Sequence, residues 1–314
     1  MQALLIQREI IGHRAFEAEY QQSPQRFTYA LDISPRSVAK KATDEFSRLE
    51  VPPGTVLIMA ASDQNLSYAI TSSIVAFRAD MSAHVLWHDI HRCRIDSRLP
   101  EAEYSAAVIR ELTAVGKSIA ALGLKIDGWG IDASGVPFDA TTSFARNSIR
   151  LCGLPAVAIV GRANHVYNPF VRSRLRDDVN GTILCGDPAE HLKSGTGKKW
   201  LVVNADKWRE TAHKAILAPL GSAGTLTLYK GDADEHSEFC NQIANERLVL
   251  IQHKRDGRDV YQWKTREPHD FGDAVTYCYA LAANQGVSGQ AVQDSAVMSK
   301  RHKLEALIKA RRRV

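Results

Sequence analysis

The chain has 314 residues, 45% of them hydrophobic and 24% charged, with a formal net charge of +5. That is enough apolar material for one large domain or two small ones. No apolar run approaches the ~20 residues of a membrane span, and charge interrupts "MQALLIQREI" too early for a signal peptide, so neither a helical span nor a secretory leader is expected in this sequence.

Residues 1–25 read as helical up to Ser23-Pro24, where proline stops the pattern, and residues 35–50 read as a second helical stretch closed by "VPPG". "GTVLIMAASDQN" is the first strong strand, an apolar run ending at Asp63. "SYAITSSIVAF" and "AHVLWHDIHR" follow after short connections, which makes the three consecutive antiparallel neighbours. An amphipathic helix begins at Pro100 and stops at Gly123. Next come a strand, "LKIDGWGIDASG", ending at Asp132, a helix in "TTSFARNSIRLCG" and a buried strand in "PAVAIVGR". The region from about 177 to 199 is Gly/Asp-rich. "KWLVVNADKWRETAHKAILAPLG" gives strand then helix, "GTLTLYKGD" a strand, "DEHSEFCNQIANERLVL" a helix and "DVYQWKT" a strand. The last helix opens at "HDFGDAVTYCYALAANQG". This order predicts an α/β mixed sheet, an antiparallel meander followed by crossovers.

The same order brings acids together. If the strand ending at Asp63 and the strand ending at Asp132 lie parallel and adjacent, both carboxylates emerge at one carboxyl edge, where α/β folds place ligands. A helix crossing that edge adds Asp273, which lies one turn before Tyr277 on the face that Tyr277 and Leu281 define. Three converging carboxylates repel one another, and a hard divalent cation such as Mg²⁺ or Mn²⁺ resolves the conflict. Two such ions can together activate water and stabilise the leaving oxygen of a phosphodiester. Plainer roles stand beside this: Asp63 as a turn residue before Gln64-Asn65, Asp132 as a helix cap before Ala133-Ser134-Gly135, and Asp270 as the N-cap of the last helix.

Other features bear on partners. Cys93, Cys152, Cys185, Cys240 and Cys278 form no CxxC pair and mostly sit in apolar strings, which predicts reduced, buried thiols in a cytoplasmic protein without a zinc site. The five tryptophans read as core residues. The tail "SKRHKLEALIKARRRV", with Arg311 and Arg312, and the alternating Arg172, Arg174 and Arg176 suit a polyanion such as nucleic acid. "LKSGTGKKW" fails as a phosphate-binding loop, because Leu192 stands where glycine is needed and Lys199 where Ser or Thr is needed. No ATP site is therefore expected.

"VLIMAASDQN", "GWGIDASG", "PAVAIVGR", the stretch around Lys207-Trp208, "DEHSEFCNQIANERL" and "HDFGDAVTYCYALAA" occur in the order and spacing of one family. Over most of residues 10–285 the chain resembles the nuclease domain of tailed-phage terminase large subunits, in the branch with lambda-like packaging enzymes. The resemblance implies a ribonuclease H-like mixed sheet flanked by helices and metal-dependent endonuclease activity on double-stranded DNA during genome packaging, with a 5′-phosphate and a 3′-hydroxyl as products. Asp63, Asp132 and Asp273 would be the catalytic metal ligands for Mg²⁺ or Mn²⁺, two ions in all. His269 and Asp270 would orient a ligand or contact the scissile phosphate, and Lys207 would stabilise phosphate charge. Arg162 would touch the DNA backbone, with Arg172, Arg174, Arg311 and Arg312 as further DNA contacts. Solvated or satisfied side chains remain the plainer readings of Lys207, Arg162 and His269.

The implied organisation is a helical connector over 1–50, the nuclease domain over 51–285 and a basic tail over 286–314. The ATPase motor of the family is expected to be missing from this chain, so portal, small terminase subunit or a separate motor are expected partners, in the host cytoplasm. The alternatives are a junction resolvase or RNA–DNA hybrid nuclease of the same fold, or a non-catalytic remnant that binds DNA or portal.

Overall fold

The computed structural model describes residues 33–134, 138–164, 166–168, 173–186, 197–232, 234–252, 259–266 and 268–287. The chain forms two compact units, one of residues 33–246 with 265–314 and one of residues 1–32 with 247–264. The expected helix within residues 1–25 lies outside the described residues.

In the larger unit the elements run α1 (Pro35–Ala39), β1 (Thr55–Asn65), β2 (Ala69–Arg78), β3 (Ala83–Arg92), α2 (Glu101–Ala121), β4 (Gly128–Asp132), α3 (Phe138–Cys152), β5 (Ala156–Arg162), β6 (Thr182–Gly186), β7 (Lys199–Asn204), α4 (Ala205–Leu217), β8 (Leu226–Leu228) and α5 (Ser237–Ala244). After α5 come β9 (Glu246–Gln252) and β10 (Asp259–Thr265), which lie mostly in the smaller unit and form a separate two-stranded sheet, and the larger unit resumes with α6 (Asp270–Asn284). Eight strands form one sheet in the order β6-β7-β5-β4-β1-β2-β3-β8. β1, β2 and β3 are the expected antiparallel meander, and β4, β5 and β7 add in parallel beside β1. This is the α/β mixed sheet expected from the sequence, an antiparallel meander extended by parallel strands.

Two expectations need correction, and one region without an expected element gains a strand. The stretch 35–50 is helical only over Pro35–Ala39, because Ala42 bridges to Leu228 and Thr43 N–H donates to the Leu228 carbonyl, which draws the backbone to the sheet edge. The Gly/Asp-rich region contains β6, entered through a turn at Asn180 and Gly181 with positive φ and paired antiparallel to β7. The helix read in "DEHSEFCNQIANERLVL" ends at Ala244, and the aliphatic run after it is strand β9.

Each strand shows one face to each layer of helices. From β1, Met59 and Ala61 join a core with Trp208, Phe239, Phe271 and most of α6, while Ile58 and Ala60 join a core with Val108, Leu112 and Phe144 of α2 and α3. β4 divides more sharply. Trp129 and Ile131 are fully buried on the α2/α3 side, and Gly128 and Gly130 face α6. A Cβ on Gly130 would stand 2.4 Å from Ile159 Cδ1 and 2.9 Å from Leu281 Cδ1, and one on Gly128 would stand 3.2 Å from Gln285 Nε2. The two glycines therefore let α6 lie close against the sheet. Four helical residues advance about 6.0 Å and two strand residues about 6.6 Å. Gln285, Leu281 and Tyr277 thus step along Gly128, Gly130 and Asp132. One further turn carries the helix past the end of β4, and the residue there is Asp273.

The five cysteines are free, four of them buried and Cys93 half-buried, and Trp87, Trp129, Trp208 and Trp263 are buried. No helix among the described residues is long and apolar enough to cross a membrane.

Gly130→Val is expected to cost about 1–3 kcal/mol by overpacking, read as a lower urea midpoint. An unchanged midpoint would mean that α6 does not depend on this close approach.

Candidate functional site

The acidic pair follows from strand register. Ser62 pairs with Ile131 in the parallel ladder of β1 and β4, so the next residues, Asp63 and Asp132, stand level on adjacent strands at the same edge. Parallel neighbours at one level point to one face, with about 4.8 Å between strands. That face is the one α6 covers. Trp129 anchors the pair from below, donating from Nε1 to Ser62 Oγ at 2.9 Å, and Ser62 in turn meets Ser72 at 2.7 Å.

Asp132 is buried. Its Oδ1 accepts from Tyr277 Oη at 2.9 Å and from the Ser134 N–H at 3.2 Å. The same Tyr277 oxygen lies over Gly161, where a Cβ would come within 2.8 Å of it. Burial pushes the Asp132 carboxyl above its ordinary pKa, opposed by the Tyr277 and Ser134 hydrogen bonds. Tyr277 is itself pushed well up, first by burial and then by Asp132, Asp273 and Asp63.

Asp63 is half-buried and feels three other acids. Its pKa stands well above the ordinary value, raised by desolvation, by the charges of Asp273, Asp132 and Asp270, and by a hydrogen bond to the Asp270 carboxyl. Asp270 is thus not the N-cap. His269 holds that position, with no side-chain cap bond, and Asp270 is the first helical residue, 4% exposed, with Thr71 Oγ1 donating to it at 3.5 Å. The inward direction has a simple origin, since residues three apart share a helix face and Asp270 and Asp273 both lie on the side turned to the sheet edge.

Asp273 behaves differently. Burial would raise its pKa, but Arg209 and His269 hold it below the ordinary carboxylate value. Arg209 Nη2 donates to Oδ1, and His269 Nε2 lies 3.3 Å from Oδ2. Arg209 comes from α4, whose Asp206, Arg209 and His213 share a face, and its Nε donates to Glu246 Oε1 at 2.6 Å. Glu246, fully buried, also meets His213 Nε2 at 2.7 Å. Gly272 makes room for it: a Cβ there would stand 2.5 Å from the Glu246 carboxyl carbon.

Lys207, expected at the phosphate, is turned away from this cluster. Its Nζ donates to the Asn180 carbonyl at 2.8 Å and to the Asn180 side chain at 2.6 Å. Two helical residues separate Lys207 from Arg209, a rotation of about 200°, so the two cations point to opposite sides of α4. Arg209, Glu246, His213 and Tyr277 were not singled out from the sequence. The 206/209/213 spacing on α4 was the available signal for two of them. Arg162 is exposed at the end of β5, on the same rim as Asp132. Arg174 pairs with Asp177 at 3.5 Å, and Arg176 bonds Asn284 at 2.8 Å. Arg172, Arg311 and Arg312 lie outside the described residues.

Asp63, Asp132, Asp270 and Asp273 therefore gather at one sheet edge, with Arg209 as their buried cation. Their oxygens are hard donors, suited to Mg²⁺ or Mn²⁺ rather than to softer metals. Among the described residues no group of three or more His, Cys, Asp or Glu side chains is placed to hold a metal ion without rearrangement. Asp132 is bonded to Tyr277, and Asp273 to Arg209 and His269.

The family model for the endonuclease domain of the terminase large subunit gpA matches residues 28–294. No curated protein matches. Among solved structures, the chain is similar to the nuclease domain of the large terminase subunit of bacterial virus Sf6, at 10% identity and TM-score 0.43, over 79% of this chain and 97% of that one. A mutant of that Sf6 domain has been solved with calcium. The large terminase of a thermophilic bacteriophage is similar at 10% identity and TM-score 0.32, over 76% of this chain and 42% of that one.

In chelator at neutral pH, Asp63→Asn is expected to raise the melting temperature by about 2–4 °C, because it removes a crowded carboxylate without changing its shape. A lower melting temperature would show that the charge of Asp63 is compensated in the folded protein.

Proposed function

Because the chain belongs to the family of terminase large-subunit endonuclease domains, we propose that the acidic edge of its sheet binds two divalent cations, Mg²⁺ or Mn²⁺, and uses them to hydrolyse phosphodiesters of double-stranded DNA. The nuclease role in phage DNA packaging comes with the family. The metal dependence, the number of ions and the residue roles are the proposal.

The observation that carries it is the level placement of Asp63 and Asp132 on adjacent parallel strands, with Asp270 and Asp273 over them from the first turn of α6. A cation bound there would supply an activated water and offset charge on the phosphate oxygens. Asp63 and Asp132 would be its principal ligands and Asp273 the third. Asp270, hydrogen-bonded to Asp63, would join them as an additional acceptor. Tyr277 orients Asp132 by donating to Oδ1, and Oδ2 would be the oxygen offered to a cation. His269 stands 3.3 Å from Asp273 and, in its protonated form, would donate a proton to the leaving oxygen as the P–O bond breaks.

Arg162, at the exposed end of β5, supports a path for the DNA backbone along the rim, where phosphate contacts position the duplex without reading its sequence. Lys207, Arg174, Arg172, Arg311 and Arg312 belong to the same proposal, as further contacts to DNA phosphates away from the acidic edge. A packaging motor, a portal and a small terminase subunit are the proposed partners in the complex.

Purified protein incubated with supercoiled plasmid and Mn²⁺ is expected to nick and linearise it. Asp63→Ala and Asp132→Ala should each lower the rate by at least roughly 100-fold while retaining a cooperative melt. Cutting by the variants at the wild-type rate would remove the assignment. Faster cleavage of an RNA–DNA hybrid or a four-way junction than of duplex would move the substrate to the alternative classes.

A further inference from the structure

Asp273 is the acid whose oxygens are both engaged. Oδ1 accepts from Arg209, and Oδ2 faces His269 Nε2 at 3.3 Å. The Arg209 side chain is not a loose surface group that has fallen onto a carboxylate. It is 10% exposed, and its Nε is fixed by Glu246 Oε1 at 2.6 Å. Glu246 is in turn fixed from its other oxygen by His213 at 2.7 Å, and the missing side chain of Gly272 leaves the slot in which the carboxylate sits. Asp206 adds a third carboxylate 3.9 Å from Arg209 Nη1. The guanidinium thus stands as a planar fork between a structural acid, Glu246, and a site acid, Asp273, a geometry that lysine cannot reproduce.

Two demands meet at this point. A protein that gathers Asp63, Asp132, Asp270 and Asp273 at one partly desolvated edge needs positive charge there to remain folded whenever no ion is bound. A site that is to take up ions needs that positive charge to yield. A guanidinium held by Glu246 independently of Asp273 meets both, because it can let go of Asp273 while keeping its buried partner. We infer that Arg209 is a positioning residue that serves as the built-in counter-cation of Asp273, competing with the divalent ion for that carboxylate and holding the acidic edge together in the ion's absence. Glu246, His213 and Gly272 form its anchor. The inference rests on the proposed metal-binding role of Asp63, Asp132 and Asp273, and it adds a property which that role does not require. Metal affinity is set below what the carboxylates alone would give, and filling the site moves Arg209 off Asp273.

The test is Mn²⁺ binding, followed by the paramagnetic resonance of the free ion, together with melting in EDTA and in saturating Mn²⁺. It compares the wild-type chain with Arg209→Met, which keeps the length and loses the charge, and with Arg209→Lys, which keeps the charge and loses the fork. Arg209→Met is expected to bind Mn²⁺ on the order of tenfold more tightly, since a unit charge a few ångströms away is removed. It should melt lower than wild type in EDTA and recover more of that loss when Mn²⁺ is added than a ligand of unchanged affinity would restore. Arg209→Lys should shift affinity in the same direction by a smaller factor, and it carries the test if the methionine variant does not fold. Unchanged or weaker Mn²⁺ binding in the variants, with normal binding by the wild type, overturns the inference and makes Arg209 a residue that orders Asp273 for the metal. Absence of Mn²⁺ binding by the wild-type chain overturns the metal reading itself, and this inference with it.

Discussion

Where α6 crosses the carboxyl ends of β1 and β4, four aspartates share a space with the buried guanidinium of Arg209. Negative charge exceeds positive there, and the rest of the architecture can be understood from how that excess is tolerated. The acids cannot separate. Asp63 and Asp132 are locked level by the parallel ladder, and Asp270 and Asp273 are carried by a helix seated on Gly128 and Gly130. Carboxylates so confined relieve their repulsion through protonation, through a fixed cation or through a bound one. The raised pKa of Asp63 and the grip of Arg209 on Asp273 are the first two of these. The proposed function is the third.

Stability for this arrangement comes from elsewhere in the same helix. From Ala274 to Ala283 every residue of α6 is buried, packed against β1, β2, β4 and α4. Apolar burial of this extent outweighs the cost of a polar first turn. The helix has two functional parts: an apolar body that anchors it across the sheet, and an acidic first turn that this body holds in place. Tyr277 is the joint between them, its ring in the core and its hydroxyl on Asp132.

Much of this was legible in the sequence because strand and helix periods are strict. An apolar run ending in Asp63, another ending in Asp132 and a crossover between them imply parallel neighbours, and the spacing of Asp273, Tyr277 and Leu281 implies one helix face. What escaped reading depended on tertiary placement. Asp270 reads as a cap because caps are common at that position, but the backbone places the cap one residue earlier and turns Asp270 inward. Lys207 draws attention as the cation of its motif, although the phase of α4 sends Arg209 to the acids instead. Glu246 reads as the end of a helix, yet it begins a strand and is buried under a glycine far along the chain, Gly272. β6 is hidden because an edge strand of five residues between turn residues carries little periodic signal.

The central claim is that Asp63, Asp132 and Asp273 form one cage for divalent ions. Crystals grown with Mn²⁺ and measured at the manganese absorption edge test it most directly. The account predicts anomalous density within bonding distance of both Asp63 and Asp132, with Asp273 turned toward it. Manganese bound elsewhere on the molecule, with Asp132 and Asp63 left without a metal between them, would contradict it.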